Sequence, residues 1–329
     1  MRTGGRRPDD SLAAVARRRV VLGLLTMVLL SMLVFAATEV LPGDAARAVL
    51  GNSATPARLK ALQEQLHLDA PVPLQYLRWA GDLVRGDLGN SLANGGPVSE
   101  IVGPRLLNSA FLIFLAGAIG SVLGVLAGVI AAARRDRLFD TVTSVASLAL
   151  SALPEFVVAL GLITLLSTLV LHAFPAVSVF PSGTAPWEHP DALVLPVATL
   201  VILIFPYIFR MTRATMIEAL ASDYAELAEL KGLDRRRVLF AHALPNAAPA
   251  IVQVIALNFL YLAGGIVVVE YVFNYQGLGQ ALVGAVDTRD IPVIQCIVLI
   301  LAGFYLVVNI ASDLLAVVLT PRRRFRSSP

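Results

Sequence analysis

Long, nearly uncharged apolar runs alternate with shorter polar segments along this chain of 329 residues. A helix needs about 20 apolar residues to cross a hydrocarbon core of about 30 Å, and several runs reach that length. They predict six transmembrane helices, over residues 20–41, 110–133, 140–172, 193–217, 247–269 and 292–318. The expected fold class is therefore an all-α polytopic membrane protein.

The composition agrees with this pattern. Hydrophobic residues make up 57% of the chain and charged residues 15%, whereas soluble domains carry about a quarter charged residues. The single cysteine, Cys296, lies inside an apolar run and offers neither a disulfide nor a metal-ligand spacing. The basic residues, 26 against 23 acidic ones, cluster at the ends of apolar runs, which indicates membrane topology rather than a nucleic-acid partner.

The arginines predict the orientation, because cytoplasmic segments of membrane proteins carry the excess of Lys and Arg. Residues 174–192 contain no Lys or Arg, and residues 270–291 contain only Arg289. The arginine-rich segments are the N-terminus 1–19, the turn 134–137, the region 209–246 and the tail 319–329. Both termini are therefore predicted to be cytoplasmic, which requires an even number of spans. The first span follows six arginines as a signal peptide would, but its long apolar core favours a retained anchor.

A large extracytoplasmic loop is predicted over residues 42–109, between the first two helices. Inside it, the segment Thr55–Leu66 is expected to form a helix, because its leucines share one face. Proline residues, among them Pro104, are expected to interrupt the rest of the loop. The remainder, 110–318, contains the other five predicted helices.

Three glycines in the second predicted helix, Gly120, Gly124 and Gly128, recur every four residues. They lie on one helix face and let a neighbouring backbone approach closely. Two interpretations remain open, a moving helix contact or ordinary tight packing.

Enzyme motifs are not found in the sequence. There is no His-Glu-x-x-His, cysteine pair, G-x-S-x-G or dinucleotide glycine pattern, and no G-x-x-x-x-G-K-[ST] phosphate-binding loop. The two lysines, Lys60 and Lys231, lie outside any phosphate-binding context. The chain is expected to be no enzyme and to hold no cofactor of its own.

A polar segment, 218–246, separates the fourth and fifth predicted helices. Glu218 to Lys231 is predicted to be helical, Gly232 to end that helix, and Asp234 to cap a following short helix. Apolar contact area is expected from Ala225, Leu227 and Ala228, and charge from Glu226, Glu229 and Arg235 to Arg237. The segment is either a docking site for a partner or a solvated amphipathic loop.

The string Glu226-Leu-Ala-x-x-x-Gly232, with Leu244-Pro245 after a gap, resembles the EAA coupling motif of bacterial ABC importer permeases. Shorter strings along the whole chain occur in the same order as in one branch of these proteins. They are Leu66-His-Leu-Asp69-Ala-Pro71, Gly86-Asp-Leu-Gly89-Asn-Ser91, Gly277-Leu-Gly279 and Arg289-Asp290-x-Pro292. From about residue 17 to 324 the chain resembles the B-type permeases of the dipeptide/oligopeptide/nickel ABC importer family. Departures include Leu227 for the second residue of the Glu-Ala-Ala triplet and Gln276 for a proline.

This resemblance implies a multi-pass permease in the bacterial cytoplasmic membrane, with its permease core over residues 110–318, that moves short peptides or a related small solute. It implies three kinds of partner besides the bilayer: a second homologous permease, two ATP-binding subunits or one fused ATPase that bind ATP and Mg, and an extracytoplasmic substrate-binding protein. The residues that it assigns to ATPase coupling are Tyr224, Ala225, Glu226, Ala228, Glu229, Lys231, Gly232, Leu233 and His242. For His242, a pH-sensitive role and a hydrogen bond that braces the segment both remain open.

Pro154 and Glu155 are the candidates for the translocation path. Pro154 removes a backbone hydrogen bond and is expected to kink the third helix. An unpaired carboxylate in an apolar helix is costly, so Glu155 is expected either to line the path and meet a peptide's amino end or to pair at a subunit interface. Glu270 and Asp290 are expected to be solvated charges, with contact to the binding protein as the alternative.

Two other functions remain open. An ion-gradient-driven secondary transporter would show inverted repeats and several intramembrane carboxylates, and a membrane scaffold would use the polar segment for other docking. The sequence leaves the solute open among di- or oligopeptides, nickel, glutathione and haem-like molecules, and it does not identify the partner permease.

Overall fold

The computed structural model describes residues 12–40, 55, 71–170, 172–181 and 184–319, and within these ranges it contains helices and no strand. The α-helices are α1 Leu12–Val40, α2 Val72–Val84, α3 Val98–Ala133, α4 Leu138–Ser151, α5 Glu155–Leu162, α6 Pro190–Leu220, α7 Asp223–Leu230, α8 Arg235–Arg237, α9 Leu244–Val272, α10 Leu278–Thr288 and α11 Ile291–Leu319. A π-helical segment Ile163–Leu169 extends α5, and a second, Val238–Ala243, joins α8 to α9. A 3₁₀ turn Pro186–Glu188 precedes α6.

Five helices in the described part of the chain are long and apolar enough to cross a membrane, and a bent pair supplies up to a sixth. The five are Arg17–Thr38, Val98–Ala133, Pro190–Leu220, Arg235–Val272 and Ile291–Leu315. The predicted all-α polytopic fold is confirmed in this respect. The orientation of the termini stays a prediction, and the predicted helix over Thr55–Leu66 lies outside the described residues except for Thr55.

Two predicted spans differ from the observed helices. The helix predicted from residue 110 begins at Val98, and Pro104 lies inside it rather than in a loop. The helix predicted over 140–172 is broken between α4 and α5, with a bend of 108°. Pro154 takes the N-cap position of α5 with extended backbone, because proline cannot donate the hydrogen bond that would continue α4. The outcome is therefore a break rather than a kink.

The chain divides into two compact units. The first comprises Met1–Val20, Ala110–Tyr275 and Tyr305–Pro329, and the second Val21–Ser109 and Gln276–Phe304. In the second unit, apolar residues from the start of α3, α10 and the start of α11 form one core, which includes Val98, Leu278 and Ile297. Asp290 lies between α10 and α11 and accepts hydrogen bonds from the Ser91 hydroxyl and from the Leu92 amide, at 3.0 Å for the latter.

The expectation that Asp290 and Glu270 are solvated is wrong. The two residues are 3% and 0% exposed, respectively. Asp290 is buried because its carboxylate is satisfied by the 87–98 turn, which brings Gly86-Asp-Leu-Gly89-Asn-Ser91 and Arg289-Asp290 together. Beside Glu270, burial and then the Glu270 charge raise the pKa of Tyr275 above its ordinary value, so its phenol stays neutral.

In the first unit, α6 packs directly on the glycine face of α3. A Cβ added at Gly120 would lie 2.6 Å from Ile204 Cδ1, and one at Gly124 would lie 2.8 Å from Ile208 Cγ2. At Gly128 it would lie 2.7 Å from Thr212 Cβ and 2.9 Å from the Phe209 carbonyl oxygen. The three glycines therefore give α6 room for a close approach over two turns.

A buried ion pair joins α4 to α6 in the same unit. Arg213 donates to both carboxylate oxygens of Asp140, at 2.7 Å for the Nη2–Oδ2 bond. The Asp136 amide donates to the same carboxylate at 3.0 Å, and the Ser144 hydroxyl lies at 3.4 Å. The side chain of Asp140 is 3% exposed, so this charge is held entirely by protein donors.

Candidate functional site

The polar segment between α6 and α9 begins with a break. A continuous helix over Glu218–Lys231 is not observed, because α6 ends at Leu220 and α7 begins at Asp223. Ser222 between them is extended, and its hydroxyl donates to the Ala219 carbonyl at 2.6 Å. Asp223 and Glu226 lie in the first turn of α7, where negative charge stabilises the helix dipole.

Helix α7 ends in a Schellman motif. Gly232 has φ +78°, its amide donates to the Glu229 carbonyl at 2.8 Å, and the Leu233 amide donates to the Ala228 carbonyl at 3.2 Å. This pattern requires a left-handed residue after the helix, which glycine adopts without steric cost. Leu233 also packs against the small cluster that contains Ala228, so the turn has the hydrophobic contact typical of this motif.

The two faces of α7 differ from the expected ones. Ala225 and Ala228 are 1% and 6% exposed and pack against Val238, so they fix α7 to its own chain instead of offering contact area. The exposed apolar side chains are Tyr224, Leu227 and Leu230, at 40%, 55% and 76%. Sequence reasoning missed Leu230. Its signal was the spacing of three residues that places 224, 227 and 230 on one helix face.

Charged residues on α7 and in the segment after it are also exposed. The side chains of Glu226, Glu229 and Lys231 are exposed, as are those of Arg236 and Arg237. They are available to a partner.

The segment after Gly232 also differs from the predicted short helix. Asp234 occupies the N-cap position of α8 but makes no side-chain cap hydrogen bond, and α8 continues through a π-helical turn into α9. Arg235 donates to the Ala133 carbonyl at the end of α3, at 3.1 Å. His242 lies half-buried in the π-helical turn, and its carbonyl accepts a hydrogen bond from Asn246 Nδ2 at 2.7 Å.

A second group of polar side chains lies among the apolar helices of the first unit. Glu155 is half-buried at the start of α5, directly after the exposed Pro154. Tyr261 on α9 donates to Glu155 Oε1 at 3.0 Å. A Cβ at Gly265 would lie 3.2 Å from both carboxylate oxygens, so the absence of a side chain at Gly265 makes room for the carboxylate.

Two residues of α6 continue this group. The rings of Tyr261 and Tyr207 lie 6.2 Å apart, and the Arg210 guanidinium lies 5.3 Å from the centroid of the Tyr207 ring. Tyr207 and Tyr261 are 42% and 43% exposed. We refer to Glu155, Tyr261, Tyr207 and Arg210 as the polar track. It presents a carboxylate at one end, a guanidinium at the other and two phenols between them.

In residues 12–40, 71–170, 172–181 and 184–319, no group of three or more His, Cys, Asp or Glu side chains is placed to hold a metal ion. The two sites offer an exposed apolar face on α7, and a carboxylate, two phenols and a guanidinium along the polar track.

Family comparison covers nearly the whole chain. Residues 124–325 match the family model of the binding-protein-dependent transport system inner membrane component. Residues 13–99 match the model of the N-terminal part of these membrane components. The first match contains both α7 and the polar track.

Individual relatives are similar over the same extent. A probable peptide ABC transporter permease protein, y4tP, of Sinorhizobium fredii is 34% identical over 94% of this chain and 98% of its own length. A putative peptide transport system permease protein of Brucella abortus is 35% identical over 95% of this chain and its entire length. The glutathione transport system permease protein GsiC of Escherichia coli is 33% identical over 93% of this chain and 97% of its own length.

Proposed function

We propose that this chain, which belongs to the family of inner-membrane components of binding-protein-dependent transport systems, passes short peptides or a related small solute across the membrane. It is the permease subunit of an ABC importer and a multi-pass inner-membrane protein. The substrate class rests on the relatives, which are described as permeases for peptides and for glutathione. Glutathione is itself a short peptide, so the relatives agree in chemistry.

The motor of this importer is supplied by other chains. ATP and Mg bind on two ATP-binding subunits or one fused ATPase, a second homologous permease completes the pathway, and an extracytoplasmic binding protein delivers the solute. The arginine distribution supports placing α7 on the cytoplasmic side, together with both termini, where the ATPases would reach it. The predicted loop 42–109, in which α2 and the start of α3 lie, would then be outside.

Helix α7 carries the coupling proposal. It presents three exposed apolar side chains, Tyr224, Leu227 and Leu230, ringed by charges, and an apolar anchor within a polar rim is typical of a protein interface. Its buried side, Ala225 and Ala228, is held by Val238 at the start of the helix that continues into α9. Displacement of α7 by a partner is therefore transmitted to a membrane helix.

The coupling experiment uses the assembled complex in proteoliposomes, with Leu230→Asp as the variant. Leu230 is 76% exposed in the single chain, so the variant should fold. In the complex the same side chain would be buried against the ATPase, and a charge there should weaken ATPase retention by about tenfold or more. Gly232→Asp tests the same surface through the turn: it should uncouple ATP hydrolysis from uptake while the protein stays in the membrane. Uptake of a labelled dipeptide and ATP hydrolysis are measured together.

The matched control is Val84→Asp, at the end of α2, where an 88% exposed apolar residue also becomes charged. It should leave ATPase retention unchanged. If Leu230→Asp retains the ATPase and imports dipeptide as the unmodified complex does, α7 is not the coupling surface. If the intact complex imports no peptide of any length, the substrate class is wrong while the coupling surface still stands.

The polar track supports the proposed solute. A peptide carries an ammonium group and a carboxylate, and the track offers Glu155 for the first and Arg210 for the second, with phenols that donate to and accept from amide groups. Its side chains are half-exposed within apolar helices, and a charge at this depth needs a cavity or a partner. We assign Pro154 and Glu155 to the path on this basis, with Tyr261, Tyr207 and Arg210 as additional members.

A further inference from the structure

A basic cavity lies between the 134–137 turn and the segment 218–246, and of its arginines only Arg236 was named among the exposed charges available to a docking partner. Its volume is about 380 Å³, and it is lined by Ala133, Arg134, Arg137, Leu220, Asp234, Arg235, Arg236 and Leu239. Four arginines and one aspartate therefore line it. In the part of the chain that the structure describes, none of these four arginines forms an ion pair with a carboxylate.

The cavity lies where apolar helices end. Ala133 is the last residue of α3, Leu220 is the last of α6, and Arg235 is the first of the apolar helical stretch Arg235–Val272. The three helix ends are held together by one core that includes Val129, Met216 and Ala247. Guanidinium groups at the ends of membrane-spanning helices lie at the depth of lipid headgroups.

Exposed apolar side chains adjoin the arginines. Ile130 lies one turn before Arg134, Phe240 lies one turn after Arg236, and Leu138 follows Arg137. Ile130, Phe240 and Leu138 are 40%, 57% and 80% exposed. A soluble anion or a partner's carboxylate would use the charges and leave these side chains in water, whereas a lipid would cover them with its acyl chains.

We propose that this cavity binds the phosphate headgroup of an acidic phospholipid from the adjacent leaflet. Phosphate matches the fork of donors that a guanidinium presents, and basic pockets between membrane helices on the cytoplasmic side suit anionic headgroups. Arg235 already donates to the Ala133 carbonyl, so Arg134, Arg137 and Arg236 supply the free charge. The inference goes beyond the transport function and does not depend on the coupling role of α7.

The test is native mass spectrometry of the purified full chain, titrated with phosphatidylglycerol and, as the neutral reference, phosphatidylcholine. Arg137→Gln/Arg236→Gln should weaken phosphatidylglycerol binding about thirty-fold, from the loss of two phosphate-facing arginines. Arg137→Lys/Arg236→Lys keeps the charge and should restore most of the binding, which separates loss of the site from misfolding. Phosphatidylcholine binding should be weak in all three proteins.

The matched control is Arg78→Gln/Arg85→Gln. These arginines line another cavity, on α2, where Arg85 is already 3.4 Å from the Asp82 carboxylate. The control should keep the affinity of the unmodified chain.

Equal weakening by both pairs would overturn the proposal, since it would show a response to net charge alone. Full displacement of the lipid by inorganic phosphate would overturn it in favour of a soluble anion. Loss of ATPase retention in the glutamine variant, with lipid binding unchanged, would overturn it in favour of an ATPase contact.

Discussion

Asp140 and Glu155 are both acidic residues among the apolar helices of one compact unit, but their surroundings differ. The Asp140 carboxylate is 3% exposed and accepts hydrogen bonds from Arg213, Asp136 and Ser144. The Glu155 carboxylate is half-buried and accepts one from Tyr261. Helix α6 contributes to both places, through Arg213 at the first and through Tyr207 and Arg210 at the second.

This difference distinguishes a carboxylate that stabilises the fold from one that can bind a ligand. A buried charge that has all its donors within the chain leaves no capacity for a ligand, and it pins two helices together. A half-exposed carboxylate with one donor keeps free lone pairs, which it can offer to a passing ammonium group. The acidic residue that is easiest to notice in the sequence, Glu155, is thus the one we assign to transport, while Asp140 is a structural residue.

The largest expected effect is that of Asp140→Ala. Removing one partner leaves the Arg213 guanidinium largely buried and unpaired, which should lower the free energy of unfolding by about 3 kcal/mol. Thermal unfolding of the purified chain in detergent measures it. The double variant Asp140→Ala/Arg213→Met removes both charges and should recover most of the loss, because no unpaired charge remains. A single variant as stable as the unmodified chain would show that Asp140 is not a structural residue.

The next largest effect is expected at the close contact between α3 and α6. Gly128→Ala places a methyl group 2.7 Å from Thr212 Cβ and 2.9 Å from a backbone oxygen of α6, which cannot move independently. We expect a loss of about 2 kcal/mol in the free energy of unfolding. Gly103→Ala, in the same helix, is the control, since a Cβ there meets nothing within 4 Å and alanine favours the helix. Equal stability of the two variants would contradict the close approach at Gly128.

The sequence predicts much of the packing around α3 and α6, but it does not predict the ion pair between Asp140 and Arg213. The long apolar runs fix α6 and α9 because a membrane span needs length and hydropathy, and the four-residue glycine spacing fixes one face of α3. Asp140 and Arg213 are 73 residues apart, and no spacing rule relates positions on different helices. The start of α3 at Val98 was missed because residues 98–109 include polar residues and Pro104, which outweighed the helix signal.

The coupling segment shows a different limit. Ala, Leu and Glu favour helix so strongly that Glu218 to Lys231 was predicted to be continuous. Instead the Ser222 hydroxyl bonds back to the Ala219 carbonyl and the Ser222 backbone is extended, so that one helix ends and another begins. Ala225 and Ala228 suit either a partner surface or a buried face, because alanine is small enough for both. Only tertiary packing against Val238 decides between these places.

The third prediction concerns Glu155 in the polar track. Glu155→Gln keeps the shape and still accepts the Tyr261 hydrogen bond, so the free energy of unfolding should change by less than about 1 kcal/mol. Because we propose that Glu155 meets the ammonium group of the peptide, loss of its charge should lower the rate of dipeptide uptake about tenfold in proteoliposomes. Tyr261→Phe is the control for the hydrogen bond itself, since it keeps the Glu155 charge. Uptake at the full rate by Glu155→Gln would remove Glu155 from the path.

The smallest effect is expected at the far end of the polar track. Tyr207→Leu keeps apolar volume but removes the ring that faces the Arg210 guanidinium at 5.3 Å, which should cost about 0.5 kcal/mol in the free energy of unfolding at this exposed place. Tyr207→Phe retains the ring and should match the unmodified chain in thermal unfolding. Because both variants lack the hydroxyl, the difference between them measures the contacts of the ring alone, which are the cation–π contact with Arg210 and the ring contact with Tyr261. A loss of stability at Tyr207→Leu as large as that at Asp140→Ala would mean that Arg210 needs this ring as Arg213 needs Asp140. The polar track would then stabilise the packing of α6 and would not be part of the solute path.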